Sequence, residues 1–96
     1  MSLRSVRIVL TGSVQGCGVR PSLARLAAQR NWAGSVINTT HGVELILSGS
    51  LPSDDELLAE VRSHLPTGAR LDSMTSEAVS HLEKLGFSID ESNESG

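Results

Sequence analysis

The stretch Val14-Gln15-Gly16-Cys17-Gly18-Val19-Arg20 concentrates the residues best suited to chemistry. Glycines flank Cys17, Gly12 lies just upstream, and the stretch ends on an arginine. Glycine lets a loop turn successive backbone N–H groups inward, and such a nest of amides binds anions. A helix starting at the end of the loop adds its positive pole. The planar guanidinium of Arg20 matches a phosphate with paired hydrogen bonds, which an ammonium cannot do. The chemistry indicated is capture of a small oxyanion such as phosphate. The same residues also suit a plain tight turn carrying a surface arginine, because glycine-rich connections are common.

Other reactive residues carry weaker signals. Two residues separate Cys17 from Arg20, a shorter spacing than cysteine-dependent phosphatases use, so Cys17 reads as a packing residue. His41, His64 and His81 never fall into a metal-ligand spacing, and a single cysteine excludes a cysteine-rich zinc site or a disulfide framework. No metal and no cofactor is expected. Asp54-Asp55-Glu56 follows Pro52-Ser53 and reads as a capped helix start rather than a metal cluster. Asn38, taken alone, reads as a turn-forming asparagine.

Composition bounds the rest. Ninety-six residues, of which 39% are hydrophobic, make one small domain. Trp32 and Phe87 are the only aromatics, and the net charge is −3. Both argue against a nucleic-acid partner, which would want exposed rings or a basic surface. The charge is uneven: residues 1–48 hold five arginines against Glu44, whereas residues 49–96 hold ten acids against three bases. An anion site is therefore sought in the first half. No run reaches the ~18 apolar residues that span a membrane, and Met1 to Val9 lacks the apolar stretch of a secretion signal. A cytoplasmic location with no membrane partner is the expectation. On that basis the glycosylation triplets at Asn38 and Asn93 read as chance matches.

The elements that position these residues follow from periodicity. Val6, Ile8 and Leu10 alternate as a half-buried strand. Pro21 fits a helix's first turn, with Leu23, Leu26, Ala27 and Arg30 at helical spacing. A strand over Trp32 to Asn38 comes next, then the tight turn Thr39-Thr40-His41-Gly42, with Gly42 free to take positive φ. Val43, Leu45 and Leu47 form the hairpin's second arm. A second helix begins at Ser53, presents Leu57, Leu58, Val61 and Leu65, and stops at Pro66-Thr67-Gly68. Arg70 to Val79 reads as a strand blurred by Asp72, Ser73 and Ser76. His81 to Leu85 reads as a connection, and Phe87 and Ile89 as a short fifth strand. The order β-α-β-β-α-β predicts an α+β ferredoxin-like sandwich, an antiparallel sheet with two helices on one face. The domain is expected over residues 1–90, with 91–96 a polar tail.

With these elements placed, Val14 to Arg20 resembles the signature loop of the acylphosphatase family, V-Q-G-V-x-F-R. Gly34-Ser35-Val36-Ile37-Asn38-Thr39-Thr40-His41-Gly42-Val43-Glu44 resembles its second motif, G-W-V-x-N-x-x-x-G-x-V-E. The resemblance runs from about Val6 to Ile89. It departs at Cys17, where valine is usual, at Val19, where an aromatic is common, and at Ser35, where the motif has tryptophan. Gly18-Val19-Arg20-Pro21, Leu26-Ala27, Leu65-Pro66 and Ala69 to Ser73 resemble the acylphosphatase-like domain that opens hydrogenase-maturation carbamoyltransferases.

The resemblance implies hydrolysis of acyl phosphates to a carboxylic acid and phosphate. It makes Arg20 the phosphate-binding residue and Asn38 the residue that orients the attacking water. Gln15, Gly16, Cys17, Gly18 and Val19 would lend backbone N–H groups to the phosphate. Two other functions stay open. One is a domain of a larger carbamoyltransferase acting on carbamoyl phosphate, with that enzyme's further domains as partners. The other is a non-catalytic phosphate-binding module.

Overall fold

A computed structural model of the chain describes residues 4–14, 18–40 and 42–79, and the backbone of 87–89. Strand β1 spans Arg4–Ser13, helix α1 Val19–Arg30, strand β2 Ala33–Asn38 and strand β3 Gly42–Gly49. Helix α2 spans Asp54–Ser63, strand β4 Arg70–Val79 and strand β5 Phe87–Ile89. The strands lie in the order β4-β1-β3-β2-β5. Neighbours among the first four are antiparallel, and β5 joins the β2 edge in parallel. This is the expected ferredoxin-like sandwich, its antiparallel sheet extended at one edge by a parallel strand.

Alternation decides which face the helices cover. Val6, Ile8 and Leu10 of β1, Val36 of β2, and Val43, Leu45 and Leu47 of β3 are buried and share one face. Leu23, Leu26 and Ala27 of α1 and Leu57 and Val61 of α2 close over them in the same cluster. Fully burying each such aliphatic side chain contributes about 1.5–3 kcal/mol, so the core is what fixes the helices to the sheet. Ser53 caps α2 by accepting from the Glu56 N–H at 3.4 Å, and its hydroxyl donates to the Glu56 carboxylate at 3.0 Å. Arg4 ties the start of β1 to the start of α2 through Asp54, at 2.9 Å.

Several local expectations are corrected. Gly12 and Ser13 belong to β1 rather than to the loop, because they pair with Leu71 and Arg70 of β4. Helix α1 starts at Val19, with Gly18 as its N-cap in the left-handed region (φ 86°), so Pro21 falls in the first turn as expected. Proline is tolerated there because that turn's N–H groups have no intrahelical acceptor. At the other end Asn31, also left-handed (φ 59°), stops α1, and the Trp32 N–H bonds the Ala27 carbonyl at 2.9 Å. Trp32 therefore precedes β2 instead of beginning it.

The blurred alternation of β4 has a physical cause. Its register against β1 shifts between Thr11 and Gly12, where Asp72 is the extra residue of a bulge. Leu71 and Met74, three apart, thus both pack against the core. The connection His81 to Leu85, the tail 91–96 and the histidines at 41 and 81 lie outside the described residues.

Candidate active site

β1 and β2 run in the same direction, separated by β3. Their C-terminal ends therefore meet at one end of the sheet. The loop after Ser13 leaves from that end and α1 begins there. Asn38 is the last residue of β2 and lies opposite Val43, which lies opposite Leu10. Leu10 and Val43 face the helices, so Asn38 shares the face that α1 covers, at the end where α1 starts.

Each part has a local reason. An α-helix leaves its first-turn N–H groups without intrahelical acceptors. At α1 the N-cap glycine offers no side chain to them, and no acidic residue stands in the first turn. The Ser22 N–H closes the first turn on the Gly18 carbonyl at 3.2 Å. Gly18 is exposed and its left-handed φ suits glycine. Val19 turns inward and is buried in the core, while Arg20 is half-buried beside the helix end.

Asn38 is held by the hairpin. The Thr39 N–H donates to the Gly42 carbonyl at 2.8 Å, closing the hairpin between β2 and β3. The Asn38 Oδ1 is fully enclosed and accepts no hydrogen bond among the described residues. A buried carbonyl oxygen without a donor is costly, by ~1–3 kcal/mol.

Gly42 corrects the expectation of positive φ, which it does not have. It is required for space: a Cβ there would come within 1.9 Å of the Leu10 carbonyl oxygen. Gly42 thereby seats the hairpin that carries Asn38 against the end of β1. The sequence alone carries no sign of this, because glycine is equally at home in a loose turn.

Of the residues expected at the site, Gly18, Val19, Arg20 and Asn38 are thus brought to one end of the fold. Gln15, Gly16 and Cys17 lie outside the described residues. Among the described residues no three of His, Cys, Asp and Glu gather to hold a metal ion, and no helix is long and apolar enough to cross a membrane. Open clefts of about 500 Å³ lie beside Arg4 and Pro52 and between Arg62 and Leu71, and neither is lined by Arg20 or Asn38.

The fold is that of a known class. The acylphosphatase family model matches residues 6–89, and the chain belongs to that family. Its curated relatives are larger. It is 37% identical over 91 residues to carbamoyltransferase HypF2 of Cupriavidus necator, covering 94% of this chain and 11% of the relative. It is 34% identical over 95 residues to carbamoyltransferase HypF of Rhodobacter capsulatus, covering 98% and 12%. The chain thus spans about a tenth of the length of these relatives. A crystal structure of full-length HypF in a phosphate- and nucleotide-bound form superposes with a TM-score of 0.90 at 26% identity, over 99% of this chain and 13% of that one. The acylphosphatase of Bacillus subtilis superposes at 0.72 and 26% identity, over 93% of this chain and 99% of that one.

Two departures from the family motifs have clear structural settings. Val19, at the aromatic position, is a core residue with 2% of its surface exposed. Ser35, at the tryptophan position, is half-buried opposite Ile46, on the face away from the helices.

Proposed function

We propose that this chain hydrolyses the carboxyl–phosphate bond of acyl phosphates. The observation that carries the reading is the enclosed Asn38 Oδ1, without a donor among the described residues, at the end of the sheet where α1 begins. Family membership supplies the substrate class. Arg20 and the amides of residues 15–19 hold the phosphoryl oxygens, with the α1 pole adding to the attraction. The Asn38 carbonyl accepts a hydrogen bond from a water and holds it in line with the scissile bond.

The water oxygen bonds to phosphorus as the bond from phosphorus to the acyl oxygen breaks. The carboxylate leaves with that electron pair, and both of the water's protons stay on the phosphate product. R-CO-O-PO₃²⁻ and H₂O thus give R-COO⁻ and H₂PO₄⁻. A carboxylate is a stable leaving group, so no strong general acid is needed. Positioning and electrostatic stabilisation carry the catalysis, as in other phosphoryl transfers. Cys17 takes no part as a nucleophile.

A second reading is favoured by the curated relatives and by the superposition on HypF. In it the chain is the acylphosphatase part of a larger carbamoyltransferase, its substrate is carbamoyl phosphate, and the acid released is carbamate. One experiment addresses both. Phosphate release is followed in excess chelator with benzoyl phosphate and with carbamoyl phosphate, beside Arg20→Ala and Asn38→Ala. Turnover of both substrates supports the general enzyme, and a strong preference for carbamoyl phosphate supports the second reading. No turnover from a folded protein leaves a phosphate-binding module.

A further inference from the structure

Val14 is the first residue past the end of β1, and only 1% of its surface is exposed. It stands an even number of positions beyond Val6, Ile8 and Leu10, so alternation turns its side chain to the same helix-covered face. There it joins their buried cluster. That side chain is what holds it. The ladder with β3 ends at Thr11 and the ladder with β4 ends at Ser13, so among the described residues no strand partner secures the backbone at Val14.

Val19 opens α1 and is buried in the same cluster, with 2% exposed. Residues 15–18 lie between these two valines, and Arg20 follows the second directly. Chain connectivity alone therefore ties the segment and the arginine to both side chains. Glycine has the most conformational freedom to lose on ordering, and Gly16 and Gly18 fall in this segment. A segment pinned at both ends has fewer arrangements to give up when it closes on an anion, and cutting that cost strengthens binding.

We infer that Val14 and Val19 are positioning residues of the phosphate site, whose side chains pin the two ends of the glycine-rich segment to the core so that phosphate has less order to impose on it. This rests on the phosphate-site reading above. Val6 supplies a matched control. It is the same residue type on the same face, also 1% exposed and in the same cluster. Eight positions of extended chain place it about 26 Å from Val14, at the other end of the sheet.

The test compares wild type with Val14→Ala, Val19→Ala, Val6→Ala, Val14→Ile and Arg20→Ala. Urea midpoints give stability, titration calorimetry gives binding of inorganic phosphate, and benzoyl phosphate turnover gives KM and kcat. Sucrose, which favours compact states, keeps the alanine variants folded during binding and kinetics. Val14→Ala and Val6→Ala lower the urea midpoint alike, because each deletes the same buried methyl groups. Val14→Ala and Val19→Ala raise the phosphate Kd and KM by about tenfold, the penalty of a misplaced site, whereas Val6→Ala binds as wild type does. Their kcat changes less than KM, because bound substrate orders the segment in every variant. Val14→Ile still fills the core and keeps most of the binding. Should Val14→Ala not fold, Val19→Ala beside Val6→Ala decides. Equal weakening of phosphate binding by Val6→Ala, or wild-type affinity in folded Val14→Ala or Val19→Ala, overturns the assignment. Loss of binding in Arg20→Ala in the same assay then shows that the phosphate site itself stands. A folded wild type that binds no phosphate overturns both readings.

Discussion

Gly42 and Leu10 touch backbone to backbone at the end of the sheet that carries the site. A methyl group on Gly42 would stand 1.9 Å from the Leu10 carbonyl oxygen, so the hairpin and β1 can meet only because position 42 has no side chain. Gly42→Ala must therefore push the hairpin off β1. Overpacking of this kind costs about 1–3 kcal/mol. Urea unfolding will show that loss, and phosphate release will fall with it because Asn38 moves with the hairpin.

Asn38 should separate stability from activity. Its enclosed Oδ1 lacks a donor among the described residues, and an unsatisfied buried acceptor weighs against folding. Asn38→Ala is expected to unfold at the same or a higher denaturant concentration than wild type, with a gain of up to about 1 kcal/mol. Its kcat is expected to fall by about 100-fold or more, the scale of losing a positioned polar group at a reacting centre. Urea melts and steady-state kinetics on one preparation check both halves. A variant that loses stability and activity together would assign Asn38 a structural role instead.

Val19 reads differently in sequence and in structure. Against the motif it is a missing aromatic, whereas in the fold it is a buried core residue at the first position of α1. The core has closed around the smaller side chain. Val19→Phe, which restores the motif, should destabilise the domain by about 1–3 kcal/mol through overpacking, measurable as a lowered denaturation midpoint. A Val19→Phe domain as stable as wild type would show room beside α1 that the packing does not show.

Ser53 caps α2, its hydroxyl bonded to both the Glu56 N–H and the Glu56 carboxylate. Ser53→Ala should cost about 1 kcal/mol of stability and leave turnover unchanged, because α2 starts at the end of the fold away from Asn38. Thermal melts beside activity assays check it. A loss of turnover at full stability would contradict this placement of the site.

Much of the fold was legible because its alternation is clean. Val6, Ile8 and Leu10, and Val43, Leu45 and Leu47, declare one buried face each, and Ser53 to Glu56 declares a helix start. The strand Arg70 to Val79 was harder to read because the bulge at Asp72 shifts the inward positions by one residue, which no fixed period detects. Gly42 was placed correctly and explained wrongly, since a glycine needed for space looks the same in sequence as one needed for φ. At the site, Arg20 and Asn38 were nameable from their motifs. The enclosure of Asn38 Oδ1 depends on register between distant strands, which single-sequence spacing does not encode.

The central claim is that water aligned by Asn38 attacks phosphorus while the acyl oxygen leaves. Turnover of benzoyl phosphate in ¹⁸O-labelled water tests it directly, read by mass spectrometry of both products. The account predicts one labelled oxygen in the phosphate and none in the benzoate, with the yield lost in Asn38→Ala. Label in the benzoate would place the attack at the carbonyl carbon and contradict the assigned roles of Arg20 and Asn38.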